Sequence, residues 1–258
     1  MKIVVLLKQT PDTEAKISVE GNGVSATGTS IINPYDEFAI EEALQVKAKN
    51  AGAEVVVCSF GPADTKERIL KALAMGADRG LLIDNAGLEN LDSLGTSKVL
   101  AAAVKAEEAS LVFCGKQGID DDNMHVGTMT AELLGWPSVN VVNKFELNGE
   151  TARIEREVEG GQVEVFEANL PVVIGANKAL NQPRYASLPG IMKAKRKPFD
   201  NKTVSDFGLD ASSLSSKTEI ASYAFPPEKP QGKVFKDKSA AEMVEEVVKL
   251  LKDEAKVL

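Results

Sequence analysis

The chain is predicted to be an α/β protein of Rossmann-like form: a mainly parallel sheet with helices on both faces, an antiparallel extension, and a C-terminal arm with a terminal helix. Three observations predict it. In the first half, short apolar runs alternate strictly with amphipathic segments, the pattern of βαβ units. In the second half the period drops to two, and Asn148-Gly149 and Gly160-Gly161 stand as hairpin turns between the runs. Finally, one polar, glycine-punctuated loop, GKQGIDDDNMHVG, begins where an apolar run ends. In open α/β sheets ligands bind at such carboxyl ends of strands.

Taken in order, Ile3-Val4-Val5-Leu6-Leu7 reads as the first strand and 37–49 as the first helix, with Asn33 able to cap it and Pro34 at its first position. Val55-Val56-Val57-Cys58 reads as a strand, and a helix over 65–75 follows it with Asp64 as cap. A third strand over 80–83 leads to a helix from about 94 to 106, and Leu111-Val112-Phe113-Cys114 feeds the glycine loop, ahead of a helical pattern over 126–134. Beyond Pro137, the segments 139–142, 144–147, 152–158, 163–168 and 171–174 read as strands. From 183 to about 231, scattered Pro, Ser and Lys without a sustained period read as an extended arm. Ser239 and Glu242 then form a capping box, and Met243, Val244, Val247, Val248 and Leu251 make one apolar stripe. A lone amphipathic helix beyond an arm needs a surface to cover, either this chain's own sheet or another subunit.

Composition narrows the function. With 258 residues and 43% hydrophobic content the chain builds one large core plus an appendage. A net charge of -8 argues against nucleic acid, since the only dense basic cluster is Lys193, Lys195, Arg196 and Lys197. Cys58 and Cys114 sit inside apolar runs, so reduced buried thiols without a redox role are expected rather than a disulfide or a metal pair. No apolar stretch approaches the roughly 20 residues that span a bilayer. Met1 is followed at once by a strand rather than by a basic, apolar leader, so a soluble cytoplasmic protein is expected, with no direct membrane insertion. No catalytic set is visible: there is no Gly-Lys-Ser/Thr loop, and His125, the single histidine, has no acidic or nucleophilic partner fixed by spacing. Nucleotide contact is its expected role.

The loop itself suits a nucleotide. Its glycines let the backbone approach a phosphate, and the helix that follows offers unpaired N–H groups and a partial positive charge. Asp120-Asp121-Asp122 would oppose an anion if aimed at it. The backbone is therefore expected to meet phosphate while carboxylates cap amides, hold a ribose or face solvent.

Several ordered motifs carry a family resemblance. They are Lys8 after the first strand, Asn33-Pro34-Tyr35-Asp36-Glu37, Ala72-Leu73-Ala74-Met75-Gly76-Ala77-Asp78-Arg79-Gly80, Gly115-Lys116-Gln117-Gly118-Ile119-Asp120, and, most specific, Asn181-Gln182-Pro183-Arg184-Tyr185-Ala186-Ser187-Leu188-Pro189-Gly190-Ile191-Met192-Lys193-Ala194-Lys195. Over nearly its whole length the chain resembles the β subunit of an electron-transfer flavoprotein. The resemblance implies an αβ heterodimer in which FAD is held mainly by the α subunit, while the β subunit forms one wall and has a nucleotide site of its own. It implies an electron carrier rather than an enzyme, taking electrons from flavin-dependent dehydrogenases of the acyl-CoA type in fatty acid oxidation and delivering them to a quinone oxidoreductase.

Carried over residue by residue, the β site comprises Leu6, Asn33, Pro34, Tyr35, Asp36, Phe60, Gly115, Lys116, Gln117, Gly118, Ile119, Asp120, Asp121, Asp122, Asn123, Met124, His125 and Val126. Tyr35 is implied to lie beside the flavin ring. One-flavin members hold AMP in this site; bifurcating members hold a second FAD there and accept electrons from NADH. Asp121-Asp122-Asn123-Met124-His125 puts bulkier groups where bifurcating members are more open, which favours AMP, whereas Val126-Gly127 and Tyr35-Asp36 look like the bifurcating pattern. The resemblance also makes Leu188, with Pro183, Arg184 and Tyr185, a docking point for partner dehydrogenases, rimmed by the basic cluster; the plainer alternative is a core leucine. The expected organisation is a nucleotide-binding domain over 1–182, and a docking loop and arm clasping the α subunit over 183–258. Arg156 is either a surface ion pair or a bridge to the α subunit. A homodimeric nucleotide-sensing stress-type protein remains the alternative from composition, and the long arm counts against it.

Overall fold

A computed structural model describes residues 1–21, 23–229 and 231–258. Asn22 and Pro230, the latter inside the segment read as an arm, lie outside the described residues. The chain divides into two compact units, Met1–Ser222 and Tyr223–Leu258.

The first unit is built on β1 (Lys2–Leu6), whose strict alternation decides which side chain meets which layer. Ile3 and Val5 join one buried cluster, whereas Val4 and Leu6 join another. After β1 come the short strands β2 (Gln9–Pro11), β3 (Lys16–Glu20), β4 (Gly23–Thr27) and β5 (Ser30–Ile32), then α1 (Pro34–Lys49), β6 (Glu54–Gly61), α2 (Lys66–Met75), β7 (Arg79–Asp84), α3 (Ser93–Ala106), β8 (Leu111–Gly115) and α4 (Val126–Leu134). A long strand β9 (Ser138–Asn148) turns into the meander β10 (Thr151–Val158) and β11 (Gln162–Asn169), and β12 (Val172–Ala176) returns to the centre. Last come α5 (Leu188–Ala194) and β13 (Phe199–Lys202).

Among the described residues nine strands form one sheet in the order β11-β10-β9-β12-β8-β1-β6-β7-β13. From β9 to β13 neighbouring strands are parallel, and β10 and β11 extend the sheet antiparallel. One cluster packs α1, α2 and α5 through Ala39, Ile40, Ile69, Leu73 and Ala194, and the other packs α3 and α4 through Val99, Val104 and Ala131. Both faces of β1, β6 and β8 are therefore dry. Each fully buried aliphatic side chain there contributes about 1.5–3 kcal/mol.

Several elements differ from expectation. The stretch read as a featureless arm contains α5, too short at seven residues to show a period, and β13, which pairs parallel with β7 from Phe199↔Gly80 to Lys202↔Ile83. As an edge strand of sequence FDNK it carries no apolar alternation. Beyond it, Val204 and Leu214 are buried on the α3 side. The two strands expected over 139–147 are one strand, β9, because Val141 adopts a left-handed φ of 61° and bulges the chain while pairing continues. The small antiparallel pairs β2–β5 and β3–β4 had no counterpart in the sequence reading.

Two caps also differ. Asn33 occupies the N-cap of α1 with Pro34 in the first turn, but its side chain makes no capping hydrogen bond. Asp64 lies within a single 3-10 turn, Ala63–Thr65, and accepts from Gln9 Nε2 at 2.9 Å. In the second unit the expected helix is present as α6 (Ala240–Asp253), and its capping box forms: Ser239 N–H donates to Glu242 Oε2 at 2.9 Å and Glu242 N–H to Ser239 Oγ at 3.4 Å.

Gly80 is where the sheet admits α2 and β13 together. A Cβ there would fall 2.7 Å from both Ile69 Cγ2 and Phe199 Cδ2. Gly80→Ala is expected to lower stability by about 1–3 kcal/mol through overpacking. Urea unfolding checks this, and a loss below about 0.5 kcal/mol, the ordinary surface range, would mean the contact is slack.

Candidate functional site

At the carboxyl ends of β1, β6, β7 and β8 the chain encloses a cleft of about 340 Å³. Parallel strands make this edge concave because each one hands over to a loop there. Leu6, Phe60 and Gly115 lie at the floor where their strands end, and the β8–α4 loop supplies Lys116, Gln117, Gly118, Asp121, Asn123, Met124, His125 and Val126. Asn33 and Asp36 close one side. Of the remaining residues singled out from sequence, Pro34, Tyr35, Ile119, Asp120 and Asp122 are not part of this lining. Tyr35 packs under the Lys116 ammonium, 5.0 Å from its ring centre.

Asp36 organises this edge. It is buried, and its carboxylate accepts from Lys8 N–H at 2.7 Å, from Gly115 N–H at 2.8 Å and from Asn33 Nδ2 at 3.0 Å. One side chain thus joins the exit of β1, the exit of β8 and the first turn of α1. Burial pushes its carboxyl up to about 7, with the three donated N–H bonds pulling the other way. Asn33 extends the network into the loop: its Nδ2 also donates to Gln117 O at 2.8 Å, and its Oδ1 accepts from Ile119 N–H at 3.2 Å. That is why it does not cap its helix. Gly115 is glycine because a Cβ would lie 2.6 Å from Tyr35 Cβ and 2.9 Å from Asn33 Nδ2.

The acidic triplet is hydrogen-bonded within the chain, and Lys8 offsets part of its charge. Lys8 Nζ pairs with Asp120 at 2.7 Å and Asp121 at 3.2 Å, and Asp122 accepts from Gln117 Nε2. Burial lowers the Lys8 pKa, but the two carboxylates outweigh it and leave the ammonium above its ordinary value. Asp122 and Met124 take left-handed φ values of 51° and 57°, folding the loop tightly toward His125. His125 holds the N-cap of α4 without a side-chain capping bond, so the first N–H groups of the helix are available to an anion.

Sequence reasoning missed a whole wall. Asn85, Leu88, Glu89 and Leu91, between β7 and α3, line the cleft together with Ser93, Thr96 and Leu100 of α3. The rule that singled out the ends of β1, β6 and β8 applies equally to β7, but this stretch carries no glycine loop to draw attention. Leu88, Leu91, Leu100 and Phe60 bring apolar surface to the cleft, interleaved with the polar Asn85, Glu89, Ser93 and Thr96. Lys8 is recognised in the sequence as a motif residue but not as part of the site, and Leu7, Cys114 and Gly127 of the lining are likewise not assigned to it.

Burial pushes the Cys58 and Cys114 thiols up to about 12, so they stay protonated at neutral pH. Among the described residues no group of three or more His, Cys, Asp and Glu side chains is placed to hold a metal ion, and no helix is long and apolar enough to cross a membrane.

Away from the cleft, Tyr185 and Leu188 are 98% and 73% exposed, so Leu188 is not a core leucine. Pro183 is half-buried, and Arg184 turns inward to Glu41, its Nε 2.7 Å from Oε2. Arg156 pairs with Glu164 at 2.6 Å and lies over the Phe166 ring.

Residues 22–207 match the model of the electron transfer flavoprotein domain. The chain is 40% identical over 261 residues to the electron transfer flavoprotein subunit beta of Bradyrhizobium diazoefficiens, with all of both chains covered. It is also 40% identical over 260 residues to the subunit of that name from Bacillus subtilis, again with full coverage. For the human subunit the identity is 40% over 237 residues, covering 90% of this chain and 91% of the relative.

Asp36→Asn tests the network. Above pH 8, where the carboxyl is ionised, an amide can accept on one side only and turns its NH₂ against a donor on the other. A loss of about 1–3 kcal/mol is expected in urea unfolding, whereas unchanged stability would show that the three donors find other partners.

Proposed function

The chain belongs to the electron transfer flavoprotein family as a β-type subunit, and from that premise we propose that it pairs with an α subunit to carry electrons between proteins, with AMP as a structural ligand in its cleft. The observation that supports the ligand is the match between the lining of the cleft and the two ends of a nucleotide. The apolar surface of Phe60, Leu88, Leu91 and Leu100 suits an adenine ring, and the glycine loop with the start of α4 suits a phosphate. Lys8 offsets one of the three carboxylate charges and Gln117 engages Asp122, which lessens the opposition of the acidic triplet to that phosphate. Met124 and His125 in the tightly folded loop take up room, which favours AMP over a second FAD.

The flavin, when bound, supplies reversible uptake and release of electrons. The chain's own residues would serve it from outside the cleft: Tyr35, outside the lining and next to Lys116, is suited to cover one side of the ring system in the α subunit. The donors proposed are flavin-dependent dehydrogenases of the acyl-CoA type, and the acceptor a quinone oxidoreductase. Docking would use Tyr185 and Leu188, exposed apolar groups beside the exposed cations Lys193, Lys195 and Arg196. Such a patch fits an apolar pocket with an acidic rim, which gives selectivity without a long-lived complex. Two buried, protonated thiols suit a reducing compartment such as the cytoplasm.

Two experiments check this reading. Denaturing the purified αβ complex and quantifying released nucleotide is expected to give one FAD and one AMP per heterodimer. Two FAD without AMP would replace this carrier with a bifurcating protein that accepts electrons from NADH. Deleting residues 239–258 is expected to weaken heterodimer assembly in size-exclusion chromatography, because the apolar stripe of α6 would lose its place on the α subunit; an equally stable dimer would remove the clasp.

A further inference from the structure

The exposed patch around Leu188 belongs to a segment fastened at four points. At its start, Arg184 meets Glu41 of α1 in a fork, with Nε to Oε2 at 2.7 Å and Nη2 to Oε1 at 2.9 Å, and its backbone N–H reaches Oε2 at 3.2 Å. Just before it, Asn181 Nδ2 donates to Glu42 Oε2 and to Phe38 O, both at 2.9 Å. In the middle, Gly190 sits against the backbone of Ala74 at the end of α2, with no room for a Cβ. At its end, Lys197 Nζ donates to Leu73 O at 2.8 Å and to Ala77 O, closing the carboxyl end of α2. Between these posts Tyr185, Leu188, Ile191 and Met192 remain 98%, 73%, 48% and 70% exposed.

The fork is unusual among the posts. Glu41 is 4% exposed on a helix whose other inward positions are largely apolar, so its charge is taken out of water for one cationic partner, with Gln45 Nε2 also donating to Oε1 at 3.1 Å. Against the desolvation of burial, the Arg184 and Gln45 hydrogen bonds hold its carboxyl below the ordinary range. A buried carboxylate is a poor source of net stability compared with an apolar side chain of the same volume, but it fixes direction, because a guanidinium fork is held in one plane. Here it fixes where the chain leaves α1, one residue before Tyr185 and four before Leu188.

We infer that Glu41 is a positioning residue for partner docking, which holds the Tyr185–Leu188 anchor in a preformed geometry through Arg184. This rests on the docking role proposed above. Anchoring the segment before encounter spares the partner the ordering of a loop, and that saving belongs to association rather than to electron transfer itself.

The test uses the flavin-loaded αβ complex reduced by a partner dehydrogenase and its substrate. Glu41→Gln and Arg184→Lys are each expected to raise the KM for the complex about three- to tenfold at unchanged kcat, and the double variant to be no worse than the singles, because both break one interaction. Flavin content, flavin absorbance and reduction by dithionite are expected to stay as in the wild type, with any fall in the thermal midpoint leaving the complex fully folded at the assay temperature. Unchanged KM in both single variants, with Leu188→Ala raising it, would overturn the role of Glu41 and leave docking at Leu188 standing. Loss of flavin, or of folded complex at the assay temperature, in step with KM would make the pair merely structural and overturn the inference as well. An unchanged KM in Leu188→Ala would remove the docking reading and this inference with it.

Discussion

The buried carboxylate of Asp36 is the constraint on which the functional edge of this protein depends. Parallel strands end without knowledge of one another, and something has to bring their exits into one plane before a loop can be shaped over them. Asp36 does this by accepting N–H groups from Lys8 and Gly115, the residues at the exits of β1 and β8, while Asn33 beside it holds the loop at Gln117 and Ile119. Leaving any of these donors without a partner in so dry a place costs about 1–3 kcal/mol, so the network behaves as a unit. The tight fit at Gly115 follows from the same crowding, since the side chains of Asn33, Tyr35 and Asp36 leave no space for a Cβ.

Helix α1 ties the two functional regions to one rigid body. Its first turn carries Asp36 and, at its cap, Asn33; two turns on, Glu41 and Glu42 hold Arg184 and Asn181. The same helix packs against the sheet through Ala39, Ile40 and Ala43. A cleft and an exposed apolar patch that share one packed helix keep a constant geometry relative to each other, which suits the proposed pairing of a bound nucleotide with a docking point.

Much of this was legible in the residues. The strands Ile3-Val4-Val5-Leu6-Leu7, Val55-Val56-Val57-Cys58 and Leu111-Val112-Phe113-Cys114 were read directly because burial on both faces leaves unbroken apolar runs. The helix over 126–134 and the capping box at Ser239 were equally plain, since each is written within a few neighbouring residues. The segment containing α5 and β13 was not. Seven residues do not complete two helical turns, and an edge strand paired on one side needs no apolar alternation. Val141 misled differently: its left-handed backbone breaks the period without breaking the strand. Asn33 read as a cap because its type and the following proline favour that place, but the loop offered its side chain better partners.

By itself, the sequence determined the layer order, the parallel core, the antiparallel extension and the position of the glycine loop at a strand's carboxyl end. Each of these follows from periodicity and turn chemistry acting over a dozen residues or fewer. Only the tertiary structure decided where the charges go: Lys8 to Asp120 and Asp121, Asp36 to two strand exits, Arg184 to Glu41, and the 85–100 stretch to the wall of the cleft. The physical reason is distance along the chain. A charge is satisfied by whichever partner the fold brings within about 3 Å, and partners separated by 112 residues, as for Lys8 and Asp120, or by 143, as for Arg184 and Glu41, leave no local pattern to read.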